Sequence, residues 1–257
     1  MIKIILCALN EAHNLKILIP NIANELEKSR LQYEIIVCLD GSSDESYNII
    51  LDFQKKYQIK SLELKNQRGL GLAYKRIFLE IIKNAAPEDI AISLDADNTH
   101  NPWQLVDSIN YYQNNKLDLL ILSRFCQNSV TEGFPLHRKF ISKVTSLVLR
   151  TIFPIKKISG RRVRDYSSGY RLYSAAKLKE LYAEEKEDFI LEKDFTYTCE
   201  ILLNLALIKA RIDEVALVYN YNQKIGNSKL GIIKNSRNLL KLIFRHILKI
   251  ASSTTGH

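Results

Sequence analysis

Residues 93–102 read Ser-Leu-Asp-Ala-Asp-Asn-Thr-His-Asn-Pro, and this stretch decides how the rest of the chain is interpreted. The short apolar run at 89–94 that leads into it indicates a buried β-strand. The Asn-Pro pair at 101–102 is typical of a helix start. Asp95 and Asp97 are therefore expected where a strand gives way to a helix, the edge at which open α/β sheets bind their ligands.

The two carboxylates suit a divalent cation. Only Ala96 separates Asp95 from Asp97, and its small side chain lets a ligand approach. Hard cations that bridge a diphosphate prefer such oxygen ligands, so we predict a Mg²⁺ or Mn²⁺ site formed by the two aspartates. An acidic turn would explain the triplet by itself, but the rest of the chain favours the metal site.

The apolar runs upstream and downstream alternate with helical segments of about 10–16 residues, which is the pattern of a doubly wound, mainly parallel α/β sheet. No repeat or low-complexity linker interrupts it. We predict strands at residues 2–9, 33–39, 61–64, 89–94 and 117–123.

The first strand-to-helix turn, residues 8–11, contains no glycine, and this excludes the dinucleotide fingerprint at the position where that motif belongs. Asn10 is expected to cap the helix that follows, and Pro20 to end or kink it. Gly69 and Gly71 come later, and we interpret them as allowing close packing at a helix start near a ligand.

Positive charge is concentrated in two segments. Residues 133–164 hold nine Lys/Arg and residues 215–257 hold seven, with no Asp or Glu in either. The rest of the chain has 21 of the 37 Lys/Arg against all 28 Asp/Glu. A mildly acidic body with two basic segments favours binding of phosphate groups, on a lipid, an anionic substrate or a nucleic acid.

Both basic segments also have helical periodicity. The tail at 232–250 predicts a basic amphipathic helix, which suits either an anionic membrane surface or packing against the body with a basic outer face. Residues 134–155 have a similar pattern. Nucleic acid is not expected as a partner, because aromatic residues do not interleave with the cations and no nucleic-acid-binding motif is present. The apolar positions of the tail are 232, 233, 236, 239, 240, 243, 244, 247 and 250.

The composition, 46% hydrophobic and 25% charged, is ordinary for a folded soluble protein. The four cysteines form no Cys-x-x-Cys pair, which indicates a reducing, cytoplasmic compartment. No signal peptide is expected, since polar residues interrupt the apolar start by Asn10, and no run approaches the roughly 18 residues of a membrane-spanning helix.

Taken in order, these motifs resemble those of the family 2 glycosyltransferases of GT-A fold, and especially the dolichol- and polyprenyl-phosphate sugar transferases. Each motif is weak alone, and together they cover residues 3–230. They are Leu9-Asn10-Glu11, Asp40-Gly41-Ser42-Ser43-Asp44, Gly69-Leu70-Gly71-Leu72-Ala73, Leu94-Asp95-Ala96-Asp97, Ser123-Arg124-Phe125, Arg138 with Ser142, the run at 163–173, Glu200, and Gly226-Asn227-Ser228-Lys229-Leu230.

The resemblance implies a Rossmann-like GT-A domain over residues 1–230, with helices on both faces of the sheet. Residues 231–257 would add the basic amphipathic helix and a polar tail. It also implies an inverting, metal-dependent transfer of mannose or glucose from a nucleotide-diphosphate sugar to a polyprenyl or dolichyl phosphate. The enzyme would be peripheral on the cytoplasmic face of a membrane.

The resemblance also implies site residues. Asp97 and Arg124 would be catalytic, Asp95 and Asp97 would hold the metal, and Arg124, Arg138 and Ser142 would bind the acceptor phosphate. The nucleotide-sugar site would comprise Cys7, Leu9, Glu11, Cys38, Asp40, Asp95, Ala96, Asp97 and Lys229.

The chain departs from the family pattern at several positions, among them Cys7, Leu9 and Leu39 near the nucleotide site, and two further departures affect the metal and phosphate contacts. Thr99 stands where the family has a further oxygen ligand to the metal, and Gln223 stands where it has an arginine, with Lys224 adjacent. Lys224 is a candidate substitute, although a lysine does not reproduce a bidentate contact.

Two other functions remain open. A family 2 enzyme acting on a saccharide hydroxyl would need a base, with Glu200 or Asp165 as candidates. A membrane-surface or nucleic-acid-binding module with a nucleotide-binding fold would need none. Glu200 is expected either as a buried, paired residue or in the acceptor site, and Asp165 and Arg171 as potential partners of each other.

Overall fold

The computed structural model describes residues 1–64, 68–224 and 232–254. Nine strands are found in these ranges. They are β1 Ile2–Ala8, β2 Tyr33–Leu39, β3 Ile59–Glu63, β4 Ile90–Asp95, β5 Leu119–Ser123, β6 Val130–Glu132, β7 Arg171–Ser174, β8 Ile212–Ala216 and β9 Val218–Asn220.

The same ranges contain eight α-helices and two short 3₁₀ turns, at Lys186–Phe189 and Tyr221–Gln223. The helices are α1 Ala12–Lys28, α2 Ser46–Gln54, α3 Leu70–Asn84, α4 Gln104–Asn114, α5 Leu136–Ile152, α6 Ala175–Glu185, α7 Tyr197–Leu207 and α8 Ile232–Thr254.

Seven strands form one sheet in the order β3-β2-β1-β4-β7-β5-β8. All neighbours are parallel except β7, which runs antiparallel to both β4 and β5. The chain winds outward from β1 to β3 and then returns to place β4 on the other side of β1. Ligand sites in open α/β sheets lie at this reversal, beyond the carboxyl ends of the strands. Cys7 on β1 and Asp95 on β4 are register partners there.

Helices cover both faces of the sheet, because successive residues of the central strands point to opposite sides. Ile4 and Leu6 of β1 pack with α1, α2 and α4, while Ile5 packs with α3, α6 and α7 on the other face. The predicted α/β class, with a mainly parallel sheet between two helical layers, is confirmed.

The five predicted strands are all present, with ends that differ by a few residues. The predicted cap of α1 is wrong. Asn10 has a positive φ of 53°, and its side chain accepts from the backbone N–H of Ser43 instead. The first N–H groups of α1 are satisfied from the neighbouring loop, with Asp44 accepting from Ala12 at 3.0 Å. Helix α1 also continues through Pro20 rather than ending there.

Helix α8 packs against the body with a face that overlaps the predicted apolar stripe only in part, since Leu239 and Ile243 pack on the core beside Leu242. Leu242 and His246 are buried, and His246 Nε2 lies 3.0 Å from Asn204 Oδ1 of α7. Two of its cations turn inward, Arg245 to Glu200 and Lys249 to Glu185. Its exposed apolar residues are Leu240, Phe244, Ile247, Leu248 and Ile250.

Helix α5 likewise exposes apolar side chains to solvent. Only Ser146 and Leu149 of this helix are buried. The ring of Phe153, which ends α5, lies 6.2 Å from that of His246, so the two helices are neighbours. The exposed apolar residues of α5 are Leu136, Phe140, Val144, Leu147, Val148 and Ile152. We call this set and that of α8 the apolar face of the protein. None of the helices that the structure describes combines the length and the apolar character required to cross a bilayer.

The docking of α8 can be tested with two leucines of that helix. Leu242→Ala should lower the free energy of unfolding by about 2–5 kcal/mol, because it leaves a cavity in the core. Leu240→Ala should change it by less than about 0.5 kcal/mol, because Leu240 is 67% exposed. Urea unfolding curves measure both, and equal effects would contradict the packing of α8 on the body.

Candidate active site

The turn after β4 is fixed by His100. Its Nδ1 accepts from the backbone N–H of Asp95 at 3.0 Å, and its Nε2 lies 3.7 Å from Asp95 Oδ2. The His100 ring also packs against those of Tyr170 and Tyr219. Burial lowers the pKa of His100, so the neutral imidazole, which can accept at Nδ1, is favoured. His100 therefore shapes the turn.

A second set of hydrogen bonds joins this turn to the start of α1. Asn98, with a positive φ of 63°, donates to Asn14 Oδ1 at 3.0 Å. Asn14 in turn donates to Glu11 Oε2 at 2.6 Å. The carboxylate of Glu11 is thereby held beside the Asp95-Ala96-Asp97 turn by side chains rather than by sequence proximity.

Both oxygens of Asp97 have partners. Thr99 Oγ1 donates to Oδ1 at 2.6 Å, and the Lys224 ammonium forms an ion pair with Oδ2. Burial alone would raise the pKa of Asp97, but Lys224 and Thr99 hold it below its usual value. Burial would likewise lower the pKa of Lys224, and Asp97 raises it instead. Both groups are therefore charged at neutral pH.

The two aspartates fit a divalent cation. Asp95 and Asp97 offer hard oxygen ligands, and an ammonium already lies against Asp97, which shows that a cation is accommodated there. Within the described ranges, no group of three or more His, Cys, Asp or Glu side chains could hold a metal by itself. Mg²⁺ is commonly bound by one or two carboxylates plus substrate phosphates and water, which is the arrangement that this site allows.

Arg124 is held by Asp165. Its Nε and Nη2 donate to the two oxygens of Asp165 at 2.8 and 2.6 Å, and Asp165 is fully buried. Burial alone would raise the pKa of Asp165, but Arg124 keeps it below its usual range. The expected pairing of Asp165 with Arg171 is wrong. The guanidinium of Arg171 donates to the backbone carbonyls of Thr198 and Tyr166 instead.

The three residues predicted to bind an acceptor phosphate lie near one another. Arg124 Nη2 donates to Ser167 Oγ at 2.8 Å, and Ser167 Oγ lies 3.0 Å from Ser142 Oγ of α5. Arg138, one turn earlier on α5, donates to the hydroxyl of Tyr221 at 3.3 Å. The Tyr221 ring therefore holds Arg138 from one side, with the guanidinium 5.8 Å from the ring centre.

Asp40 lies at the start of α3. Both of its oxygens accept from the backbone N–H of Gly69, at 3.0 and 3.1 Å. A Cβ on Gly69 or Gly71 would come within 2.3 or 2.0 Å of the backbone carbonyls of Lys193 and Glu192. The two glycines thus allow close packing at this helix start, as the sequence suggested.

Most of the side chains that the sequence predicted to bind ligands border one cavity of about 540 Å³ at the carboxyl edge of the sheet. One predicted residue of the described ranges, Cys38, is not among its walls. Cys38 is buried in β2, and Lys229 lies outside the described residues. The predicted residues that line the cavity are Cys7, Leu9, Glu11, Asp40, Asp95, Ala96, Asp97, Arg124, Arg138 and Ser142.

Glu200 does not border this cavity. It is buried, accepts from the backbone N–H groups of Leu191 and Glu192, and pairs with Arg245 of α8. Burial raises its pKa to about 7. Of the two expectations for Glu200, the structure bears out the buried, paired residue.

Sequence reasoning missed part of the cavity wall. The alternating Tyr219 and Tyr221 before Lys224 were a usable signal, since Tyr219 lines the cavity with Phe134. Nothing in the tail pattern indicated that Leu239 of α8 would reach the same cavity. Such contacts depend on where α8 packs, which local periodicity does not specify.

A reversal in strand order, with paired carboxylates at the carboxyl edge of a mainly parallel sheet, is the arrangement of an α/β protein of GT-A fold. The sequence profile described as Glycosyl transferase family 2 matches residues 3–182. The chain belongs to this family.

Relatives and solved structures agree with this assignment. A dolichol-phosphate mannosyltransferase of Pyrococcus furiosus is 32% identical over 66% of this chain, which spans 45% of that protein, less than half its length. A dolichyl-phosphate beta-glucosyltransferase of Trichomonas vaginalis is 23% identical over 97% of this chain and 75% of its own.

Among solved structures, glucosyl-3-phosphoglycerate synthase of Mycobacterium tuberculosis with Mn²⁺, uridine diphosphate and phosphoglyceric acid matches with a TM-score of 0.64 and 16% identity. The match covers 95% of this chain and 76% of that one. At this identity the likeness concerns the fold.

The Arg124–Asp165 pair provides a stability test. Asp165→Asn should lower the free energy of unfolding by about 3–5 kcal/mol, because it leaves a largely buried guanidinium without its counter-charge. The matched control is Asp52→Asn, since Asp52 pairs with Lys55 at 2.8 Å in an exposed position. It should change stability by less than about 1 kcal/mol. Comparable losses in denaturant titrations would show that the buried pair is not a fixed element of the site.

Proposed function

We propose that the protein transfers mannose or glucose from a nucleotide-diphosphate sugar to a polyprenyl or dolichyl phosphate, with inversion and with Mg²⁺ or Mn²⁺ bound. The reaction would take place at the cytoplasmic surface of a membrane. The observation that carries this proposal is that one cavity contains both the Asp95–Asp97 carboxylates and the Arg124–Arg138–Ser142 set. Family membership favours an enzyme over a binding module.

The aspartate side of the cavity suits the donor. A cation held by Asp95 and Asp97 would stabilise negative charge on the departing diphosphate. Glu11 and Asp40 line the same end and offer acceptors to the hydroxyls and the base of a nucleotide. Ala96 leaves space beside them, as a small residue does where a ligand must approach closely.

The cationic side suits a phosphate acceptor. Charge-assisted hydrogen bonds from arginine to phosphate are among the stronger polar contacts in proteins. Arg124 is oriented by Asp165 and Arg138 by Tyr221, so both guanidinium groups are positioned before any ligand binds. The names of the two curated relatives refer to dolichyl phosphate as the acceptor, which supports the same assignment here.

The chemistry of such an acceptor requires no general base. A phosphate monoester is largely ionised near neutral pH, since its second pKa is about 6. One phosphate oxygen forms the new bond to the anomeric carbon, while the bond from that carbon to the donor diphosphate breaks and its electron pair leaves with the nucleotide. The residues Arg124, Arg138 and Ser142 would hold the attacking phosphate on the face opposite the leaving group.

A saccharide hydroxyl acceptor would need a base, and both candidates are engaged elsewhere. The Asp165 oxygens accept from Arg124, and Glu200 is bonded to Arg245 away from the cavity. These contacts favour the phosphate acceptor.

The apolar face supports a membrane location. Phe140 of α5 and Phe244 of α8 are 69% and 66% exposed, beside the helix segments that border the cavity. Exposed apolar patches next to basic side chains such as Lys143 and Lys241 suit an interface with anionic lipids. In this proposal residues 1–230 form the transferase domain and residues 231–257 add a helix that contacts the membrane.

The two-site assignment predicts opposite effects of two substitutions. Arg138→Ala should raise the apparent KM for a polyprenyl phosphate about ten- to a hundredfold, as expected for one charge-assisted hydrogen bond. Donor affinity by calorimetry should be nearly unchanged, and Arg138→Lys should recover part of the loss. Asp97→Asn should instead weaken donor binding. If Arg138→Ala impairs donor and acceptor equally, or a free sugar replaces the lipid phosphate as acceptor, the proposal is wrong.

The membrane assignment predicts that the double variant Phe140→Glu, Phe244→Glu no longer sediments appreciably with anionic phosphatidylserine vesicles. The reason is that a charged side chain is costly to bury in the apolar part of the lipid interface. The control is Ile17→Glu, because Ile17 is 43% exposed on α1, in the opposite helical layer. This variant should sediment with the vesicles like the wild type. Binding by the wild type should weaken with added salt. Unchanged sedimentation of the double variant would rule out this face as the membrane contact.

A further inference from the structure

Lys224 lies against one of the two carboxylates that would hold a metal ion. Its ammonium lies on Asp97 Oδ2, and the two side chains are only 14% and 12% exposed. The other oxygen of Asp97 accepts from the Thr99 hydroxyl. Both oxygens of this carboxylate are therefore engaged, and the charge of Asp97 is balanced by a residue of the chain itself.

The lysine reaches Asp97 from a distant part of the sequence. Lys224 follows the 3₁₀ turn Tyr221–Gln223, and its Nζ also lies 6.0 Å from the centre of the Tyr221 ring. An ammonium is a compact point charge on a flexible four-carbon chain, so it can take the place of a small cation and can also leave it. Asp95 and Glu11 are the other carboxylates whose charge acts on it.

We propose that Lys224 is an internal competitor of the divalent cation, and this inference rests on the proposed function. A divalent cation and an ammonium repel each other at hydrogen-bond distance, so both cannot share Asp97 Oδ2. Metal binding then requires the Lys224 ammonium to move away from Asp97. The interaction of the metal with the carboxylate must therefore outweigh the loss of the Lys224–Asp97 ion pair. Without a metal ion the lysine balances the charge of Asp97, so a metal ion without nucleotide should bind weakly.

The displaced ammonium remains in a cavity that receives the donor diphosphate, which offers it a new anionic partner. Metal and nucleotide should therefore favour each other's binding, because the diphosphate of the nucleotide can form an ion pair with Lys224 after the metal has displaced Lys224 from Asp97. Such coupling is reciprocal, so each ligand raises the affinity for the other by the same factor. Lys224 thereby acts as a positioning residue that makes metal loading depend on the donor.

The test measures Mn²⁺ binding to the full chain by electron paramagnetic resonance and calorimetry, without nucleotide. Lys224→Met and Lys224→Gln should each bind Mn²⁺ about ten- to a hundredfold more tightly than the wild type, since no ammonium has to be displaced. Glutamine keeps a hydrogen-bond donor but not the charge, so agreement between the two variants excludes a packing effect. Circular dichroism establishes that each variant is folded.

The matched control is Arg138→Met, which removes another cation of the same cavity, one that donates to the Tyr221 hydroxyl. Its Mn²⁺ affinity should remain within about threefold of the wild type, because this variant leaves the Lys224–Asp97 ion pair in place. Addition of GDP or UDP should tighten Mn²⁺ binding in the wild type much more than in Lys224→Met.

Equal or weaker Mn²⁺ binding by both Lys224 variants would overturn the inference, as would the absence of Mn²⁺ binding in every protein. An equally large gain in Arg138→Met would overturn it too, since general electrostatics would then suffice. Absence of Mn²⁺ binding in every protein would also contradict the metal dependence of the proposed function. The other results depend on neither an acceptor nor sugar transfer, so they are separate from failure of the proposed function.

Discussion

Two carboxylates at the end of β4 require positive charge beside them, and much of the site follows from this constraint. Asp95 and Asp97 are brought together at the sheet edge, where burial disfavours their ionised forms. Lys224, from the far end of the described core, supplies the counter-charge to Asp97. The fold thus contains an anionic centre whose charge is balanced in part by a cation of the chain itself.

The basic segments of the chain serve different purposes in three dimensions. Lys157, Arg245 and Lys249 face carboxylates of the acidic body and help to fix the segments that carry them. Arg138 remains at the wall of the cavity. The Lys and Arg residues of the two basic segments, which look alike in the sequence, therefore have two roles. Some form ion pairs that stabilise the fold, and others lie where they could bind a phosphate.

Helix α8 combines two properties that the sequence presented as alternatives. It packs against the body through Leu242 and His246, and it exposes Leu240 and Phe244 on its other side. This is feasible because a helix with leucines on more than one side can bury one face and leave another in solvent. The exposed residues continue the apolar face of α5, next to the cavity that the proposed lipid substrate would enter.

The sequence by itself determined the α/β class, the five amino-terminal strands and the position of Asp95 and Asp97 at a strand end. These features depend on hydrophobic periodicity and on turn residues, which are local. Most of the predicted site residues could also be named, because they belong to short motifs in a fixed order.

Only the tertiary structure decided which charges meet. Lys224 forms an ion pair with Asp97, 127 residues away in the sequence. Arg124 forms one with Asp165, 41 residues away, whereas Arg171 donates to backbone carbonyls. It also decided which face of α8 is buried. Ion pairs and helix docking depend on how distant elements pack around the sheet, and residues of one charge or one apolar type are interchangeable in a sequence pattern until that packing places them.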